Sequence, residues 1–126
     1  MKNTVRIAGL LIALLALVGC GQQAVYENIT AQQAKEVMDR EEGYVILDVR
    51  TEEEYAQGHI PGAILIPDYE IEQKAERILT DKNQMILVYC RSGRRSKNAA
   101  VSLQKLGYTD IREFGGIIDW PYEIES

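Results

Sequence analysis

Four short strand-like segments, three of them apolar runs, alternate along the chain with four segments of helical spacing, and this alternation restricts the fold more than any other feature. Residues 44–49, 63–66 and 85–89 have strand length and are rich in Val, Ile and Leu, the pattern of buried strands, and residues 111–114 (IREF) read as a last strand. Between them, Thr30 with Gln33 and Thr51 with Glu54 form capping boxes for helices to about Glu41 and to Gly58. Asp68 is placed to cap a helix to Leu79, with Ile71, Ala75, Ile78 and Leu79 on one face. Residues 96–106 complete the set, with Ala99, Ala100, Leu103 and Leu106 inward and Gly107 as the stop. Such spacing predicts one α/β domain with a mainly parallel central sheet flanked by helices on both faces. Sites in such sheets lie outside the carboxyl ends of the strands, and Cys90 directly follows the strongest of them, residues 85–89.

The N-terminus has a different character. Lys2 and Arg6 precede the apolar residues 7–18 (IAGLLIALLALV), then Gly19 and Cys20. Twelve helical residues span about 18 Å against a hydrocarbon core of roughly 30 Å, which suits a signal peptide better than a membrane span. Residues 17–20 (LVGC) resemble the lipobox of bacterial lipoproteins, which are cut before the cysteine and lipidated on it. The expected division is therefore 1–19 cleaved signal peptide, 20–25 lipidated Cys20 with a short tether, and 26–126 folded domain. An uncleaved anchor helix and an ordinary secretory signal are the alternatives, and each takes the chain out of the cytoplasm. The expected location is the extracytoplasmic face of the cell membrane, held by lipid. Gly21 after Cys20 points to the outer membrane in a diderm host.

Cleavage leaves 107 of the 126 residues, enough for one core, and loss of Lys2 and Arg6 takes the net charge from −5 to −7. An acidic chain is poorly suited to nucleic acid, whose affinity depends on Lys and Arg at the phosphates. Only two cysteines are present, Cys20 and Cys90. With Cys20 lipidated, Cys90 has no partner within the chain, which suggests a reactive thiol or an intermolecular bond; a small buried hydrophobe is the alternative.

The neighbours of Cys90 favour reactivity. The loop Cys90-Arg91-Ser92-Gly93-Arg94-Arg95-Ser96 joins a strand to a helix. Helix N-termini and guanidinium groups favour the thiolate, which is the nucleophile. A tight turn aims backbone N–H groups at one point, and Gly93 supplies the positive φ that such a turn needs. Four of the twelve basic residues beyond residue 19 fall at Arg91, Arg94, Arg95 and Lys97, which suits a small anionic substrate. Arginines at a helix start oppose the macrodipole, so capping alone does not account for them.

Asp48-Val49-Arg50 with Glu54-Tyr55, Gly58-His59-Ile60-Pro61-Gly62-Ala63, Val88-Tyr89 with the Cys90 loop, Gly107-Tyr108, Gly115-Gly116 and Trp120 together resemble the rhodanese domain family in order and spacing. The resemblance runs from about Tyr26 to Tyr122. It implies a sulfurtransferase in which Cys90 is the catalytic, sulfur-carrying nucleophile and Arg91, Ser92, Gly93, Arg94 and Arg95 bind substrate. A thiosulfate-like anion would donate sulfur to Cys90, and cyanide or a thiol would collect it. Neither a metal nor an organic cofactor is implied. A persulfide carrier or redox module serving a membrane protein is the second reading. Phosphatases and arsenate reductases resemble C-x5-R, whereas here the arginines stand at C-x3-R and C-x4-R, a shorter loop.

The remaining candidates read as structural. His59 is expected to hydrogen-bond its turn, and Asp48 with Arg50 to form an ion pair that fixes loops. Trp120 would close the core, Gly115-Gly116 would make a tight turn, and Glu52-Glu53-Glu54 would serve a helix start.

Overall fold

The computed structural model describes residues 26–126. The expected signal peptide, Cys20 and the tether lie outside the described residues. Five strands form one sheet: β1 (Glu27–Asn28), β2 (Val45–Asp48), β3 (Ile64–Leu65), β4 (Met85–Cys90) and β5 (Asp110–Gly116). Their order is β1-β5-β4-β2-β3, and every pairing is parallel. Four α-helices connect them: α1 (Ala31–Arg40), α2 (Glu52–Gln57), α3 (Ile71–Ile78) and α4 (Arg94–Lys105).

Strand order decides which face each helix covers. The crossovers through α1 and α2 step toward β3, whereas those through α3 and α4 step toward β1. Right-handed crossovers running in opposite directions place their helices on opposite faces. The buried clusters follow this partition. Ile71, Ala75, Ala99, Ala100 and Leu103 pack with Leu47, Val49, Val88, Cys90 and Ile111 on one face. On the other, Ala34, Ile60, Ala63 and Trp120 pack with Ile46, Leu87, Tyr89 and Phe114. Alternation along β4 sends Leu87 and Tyr89 to one core, Val88 and Cys90 to the other.

Both capping boxes form: the Thr30 and Thr51 hydroxyls accept from the N–H groups of Gln33 and Glu54, whose side chains accept in return. Other expectations need correction. Asp68 caps nothing; it opens a 3₁₀ turn (Asp68–Glu70), and α3 begins only at Ile71 with no side-chain cap. Ile78 is 44 % exposed, whereas Ile71, Ala75 and Leu79 of the expected face are buried. Helix α4 begins at Arg94, two residues before the expected Ser96. Strand β1 carries no apolar signal; both its residues are exposed, and it is held to β5 by backbone pairing and by the Glu27–Arg112 ion pair at 3.5 Å.

The connections after β2 and β4 leave in opposite directions. The crevice between these neighbouring strands is the topological switch point of the sheet, where ligands bind in open α/β folds. Cys90 ends β4 at this crevice.

Candidate functional site

Three features aim the Cys90 loop. Strand β4 ends at Cys90, Gly93 adopts φ 108°, and α4 starts at Arg94 with no side chain capping it. The cysteine sulfur lies beside this helix start, with the Gly93 N–H donating to Sγ at 3.0 Å. Burial pushes the thiol up, but hydrogen bonds from the Ser96 side chain and from the backbone N–H groups of Ser96, Gly93 and Ser92 outweigh it. Cys90 therefore titrates below the ordinary thiol range. This is what a helix N-terminus and an N–H cradle do for an anion. Cys90 is only 1 % exposed.

Two neighbouring strands brace the loop. Strand β5 holds one extra residue between the pairs Val88–Glu113 and Cys90–Gly116, and Gly115 absorbs it at φ 89°. Gly116 then lies against the loop so closely that a Cβ would sit 1.9 Å from the Arg91 carbonyl oxygen and 2.5 Å from the Ser92 nitrogen. Gly115-Gly116 is thus a close approach at a strand end, not the expected tight turn. From the β2 side, Glu54 Oε1 and Oε2 accept from Arg95 Nη1 at 2.8 Å and Nη2 at 3.0 Å. The Arg95 guanidinium and the Thr51 cap hold the Glu54 carboxyl well below its usual range, at about 2. Arg95 thereby links α4 to α2 across the switch-point crevice, while Arg91 and Arg94 are exposed and pair with no carboxylate among the described residues.

Beneath the loop lies a carboxylate that sequence reading missed. Glu113, 2 % exposed on β5, accepts from Ser96 Oγ at 2.5 Å and from the Gly115 N–H at 2.9 Å; Lys97 Nζ is 3.5 Å away. Period-two alternation puts Glu113 on the same face as buried Ile111, and a charge on the core face was the available signal. For Glu54, by contrast, the capping role it also fulfils hid the second one.

The Asp48–Arg50 pair forms as expected and is extended by Tyr89. Arg50 Nη2 donates to Asp48 Oδ2 at 2.7 Å and to the Gly58 carbonyl at 2.7 Å. Tyr89 Oη donates to Asp48 Oδ2 at 2.6 Å and accepts from the Ile60 N–H at 3.1 Å. Burial and the Asp48 contact raise the Tyr89 hydroxyl far above its usual range, so it remains a donor. This network fixes the Gly58–Ile60 segment to the floor of the sheet. His59 joins that framework differently from expectation: Nδ1 meets the Tyr55 carbonyl at 2.9 Å and the ring stacks on Tyr55 at 3.7 Å, not on the Pro61-Gly62 turn. Trp120 closes the core against Phe114 as expected. A cavity of about 190 Å³ between α1 and the C-terminal segment, lined by Lys35, Met38, Ile60 and Trp120, takes in no residue of the Cys90 loop. Among the described residues, no group of three His, Cys, Asp or Glu could hold a metal ion.

Fold and site together define a class of protein: a parallel α/β domain with one cysteine at the switch point, cradled by the N–H groups of a short loop. The chain belongs to the rhodanese-like domain family, whose pattern matches residues 30–121. It is 41 % identical over 73 residues to thiosulfate sulfurtransferase PspE of Escherichia coli (strain K12), covering 58 % of this chain and 70 % of that protein. It is 39 % identical over 99 residues to the putative sulfur carrier protein YrkF of Bacillus subtilis (strain 168), covering 78 % of this chain but 52 %, about half, of that one. Among solved structures, a rhodanese with anions from E. coli superposes with a TM-score of 0.62 at 36 % identity, covering 66 % of this chain and 98 % of that one.

Proposed function

We propose that this protein is an exported, lipid-anchored sulfurtransferase that carries sulfane sulfur on Cys90. One observation carries the reading: the Cys90 sulfur lies at the start of α4 and accepts from the Gly93 N–H at 3.0 Å, with its thiol held below the ordinary range. The kinship with PspE, named a thiosulfate sulfurtransferase, supports a thiosulfate-like donor.

In the first half-reaction the Cys90 thiolate attacks the outer sulfur of thiosulfate. A new S–S bond forms, the S–S bond of the donor breaks, and sulfite leaves with the electron pair. The persulfide on Cys90 keeps its terminal negative charge, which the N–H groups of the loop stabilise as they did the thiolate. Cyanide or a thiolate then attacks the terminal sulfur and returns the Cys90 thiolate. No net proton transfer is required, in keeping with a site whose one histidine, His59, is bound up in the Tyr55 contact. Arg91 and Arg94 are free to meet the sulfonate end of the donor, whereas Arg95 is held by Glu54 and stiffens the loop. The 1 % exposure of Cys90 suits a donor that presents a single terminal sulfur atom.

The test is turnover of thiosulfate and cyanide to thiocyanate by the purified chain, with Cys90→Ser alongside. We expect turnover in the parent and none above the uncatalysed rate in the variant. Intact mass after thiosulfate alone is expected to show one added sulfur, about 32 Da, on Cys90. The name of YrkF favours a carrier as the second reading, and it predicts the added sulfur with negligible turnover. Hydrolysis of an aryl phosphate in place of either would overturn both.

A further inference from the structure

Resting on the reading of Cys90 as the sulfur-carrying nucleophile, we propose that the rim of the Cys90 loop docks an acidic protein segment that presents the acceptor thiolate. Two exposed apolar side chains flank the loop. Ile118 follows β5, on one side of β4, and its N–H donates to the Arg91 carbonyl at 3.2 Å. Tyr69 follows β3, on the other side, within the 3₁₀ turn Asp68–Glu70. That turn packs on α4, and the Asp68 N–H donates to the Val49 carbonyl just beyond β2 at 3.0 Å. Tyr69 is 66 % exposed and Ile118 56 %, the two most exposed of the large hydrophobic side chains among the described residues. Both follow the carboxyl ends of strands, the end of the sheet at which Cys90 stands. Three strand spacings separate β3 from β5, about 14 Å in all. Such a width matches an extended run of about four residues and far exceeds a thiosulfate ion.

Charge sets the character of the occupant. The loop between these side chains carries Arg91 and Arg94, exposed and paired with no carboxylate among the described residues. Lys97 Nζ lies 3.4 Å from the place a Cβ on Gly93 would take, although Glu113 at 3.5 Å partly offsets it. Of the nearby carboxylates, Glu54 is bound to Arg95, Asp68 also acts on Arg95, and Glu70 meets Lys74 at 2.8 Å. Asp119, next to Ile118, is exposed and sets one negative charge against the two free arginines. Elsewhere the chain is acidic: without Lys2 and Arg6 its net charge goes from −5 to −7. An acidic partner is therefore repelled by most of the surface and steered to this pole. The arginines also ease the meeting of two anions. The acceptor thiolate attacks the terminal sulfur of the Cys90 persulfide, and a bond forms between those two sulfurs. The bond to Cys90 Sγ breaks, its electron pair returns to Cys90 as thiolate, and the acceptor leaves as a persulfide anion. No oxidant or reductant enters.

The probes are two synthetic hexapeptides, each with one cysteine between two leucines and with either three glutamates or three lysines around them. The full chain is loaded on Cys90 with thiosulfate, and loss of the added sulfur to each peptide is timed by intact mass. Each rate is divided by that peptide's own rate with a small neutral disulfide, which removes differences in thiol acidity. The glutamate peptide is expected to take sulfur about tenfold faster than the lysine peptide at about 0.02 M salt, the gap closing below about threefold at about 0.5 M. Tyr69→Ser combined with Ile118→Ser is expected to raise the half-saturating concentration of the glutamate peptide about fivefold and to leave discharge by cyanide unchanged. Equal rates for the two peptides, or a faster lysine peptide, overturn the proposal. A double variant that serves the glutamate peptide as well as the parent does overturns it too. So does an equal loss of cyanide and peptide discharge in each single variant, because damage to the loop would then account for both. Anisotropy of dye-labelled serine counterparts of the peptides needs no sulfur transfer, and the glutamate version is expected to bind about tenfold tighter. With that preference kept, a chain that thiosulfate cannot load refutes the sulfurtransferase reading alone. Loading and discharge to cyanide without the preference refute only the docking surface.

Discussion

Gly116 has no room for a methyl group. Its missing Cβ would lie 1.9 Å from the Arg91 carbonyl oxygen and 2.3 Å from the carbonyl carbon, and backbone cannot rotate aside as a side chain can. The Ile118 N–H also bonds that carbonyl at 3.2 Å, so the loop is held from two positions of the same segment. Gly116→Ala is expected to push the Cys90 loop outward, cost about 1–3 kcal/mol of stability and slow Cys90 alkylation at neutral pH. Thermal unfolding and alkylation kinetics measured together check this; a variant with the parent's melting temperature and reactivity would refute it. Gly93 is tied to the loop by a different constraint: at φ 108° an L side chain is strained even where space exists.

At the scale of elements, Glu54 and Arg95 join two helices that share no strand. Each is about one-quarter exposed, and the paired oxygens and nitrogens give a two-pronged contact. Glu54→Gln is expected to cost about 1 kcal/mol, since solvent screens the pair, while loosening Arg95 enough to alter the KM for thiosulfate. The pH dependence has a definite sign. The Glu54 carboxyl lies below its ordinary value of 4.5, at about 2, so its contribution is complete above about pH 4.5 and fades as pH falls toward 2. Unfolding midpoints of parent and Glu54→Gln should therefore differ at neutral pH and converge in acid.

Elements with strong local signals were legible in the sequence. Capping boxes at Thr30 and Thr51 specify helix starts through side-chain hydrogen bonds within four residues, and both formed. The apolar run ending at Cys90 could only be a buried strand. What stayed hidden depended on partners distant in sequence. Strand β1 exists because β5 offers it an edge, and Glu113 meets Ser96 only once α4 packs on β5. The start of α4 lies two residues before Ser96, which looks like a cap in the sequence; Gly93 stands at the cap position in a left-handed conformation with no side-chain cap. The cysteine loop was visible as a cluster of residue types, but the division between paired Arg95 and free Arg91 and Arg94 required the neighbouring helix.

At the scale of the whole molecule, the domain 26–126 forms two cores on either side of one sheet, and no helix among the described residues is long and apolar enough to cross a membrane. The proposed lipid attachment is assigned to Cys20, which precedes the described residues. Replacing Cys20 by Ser is expected to move the protein from the membrane fraction to the soluble extracytoplasmic fraction of its host, read by fractionation and immunoblotting. Retention in the membrane after that change would favour an uncleaved apolar anchor.

The direction of β1 gives such an anchor a geometric meaning. Glu27 is level with Arg112, and Arg112 with Leu87, so the chain enters the sheet about 10 Å below the height of Cys90 and two strands to its side. An anchor at Cys20 would therefore join the domain at the pole opposite Cys90. Residues 20–25 extend at most about 20 Å, a short leash. An acceptor embedded in the bilayer would then have to project outward past the domain to reach the Cys90 end of the sheet.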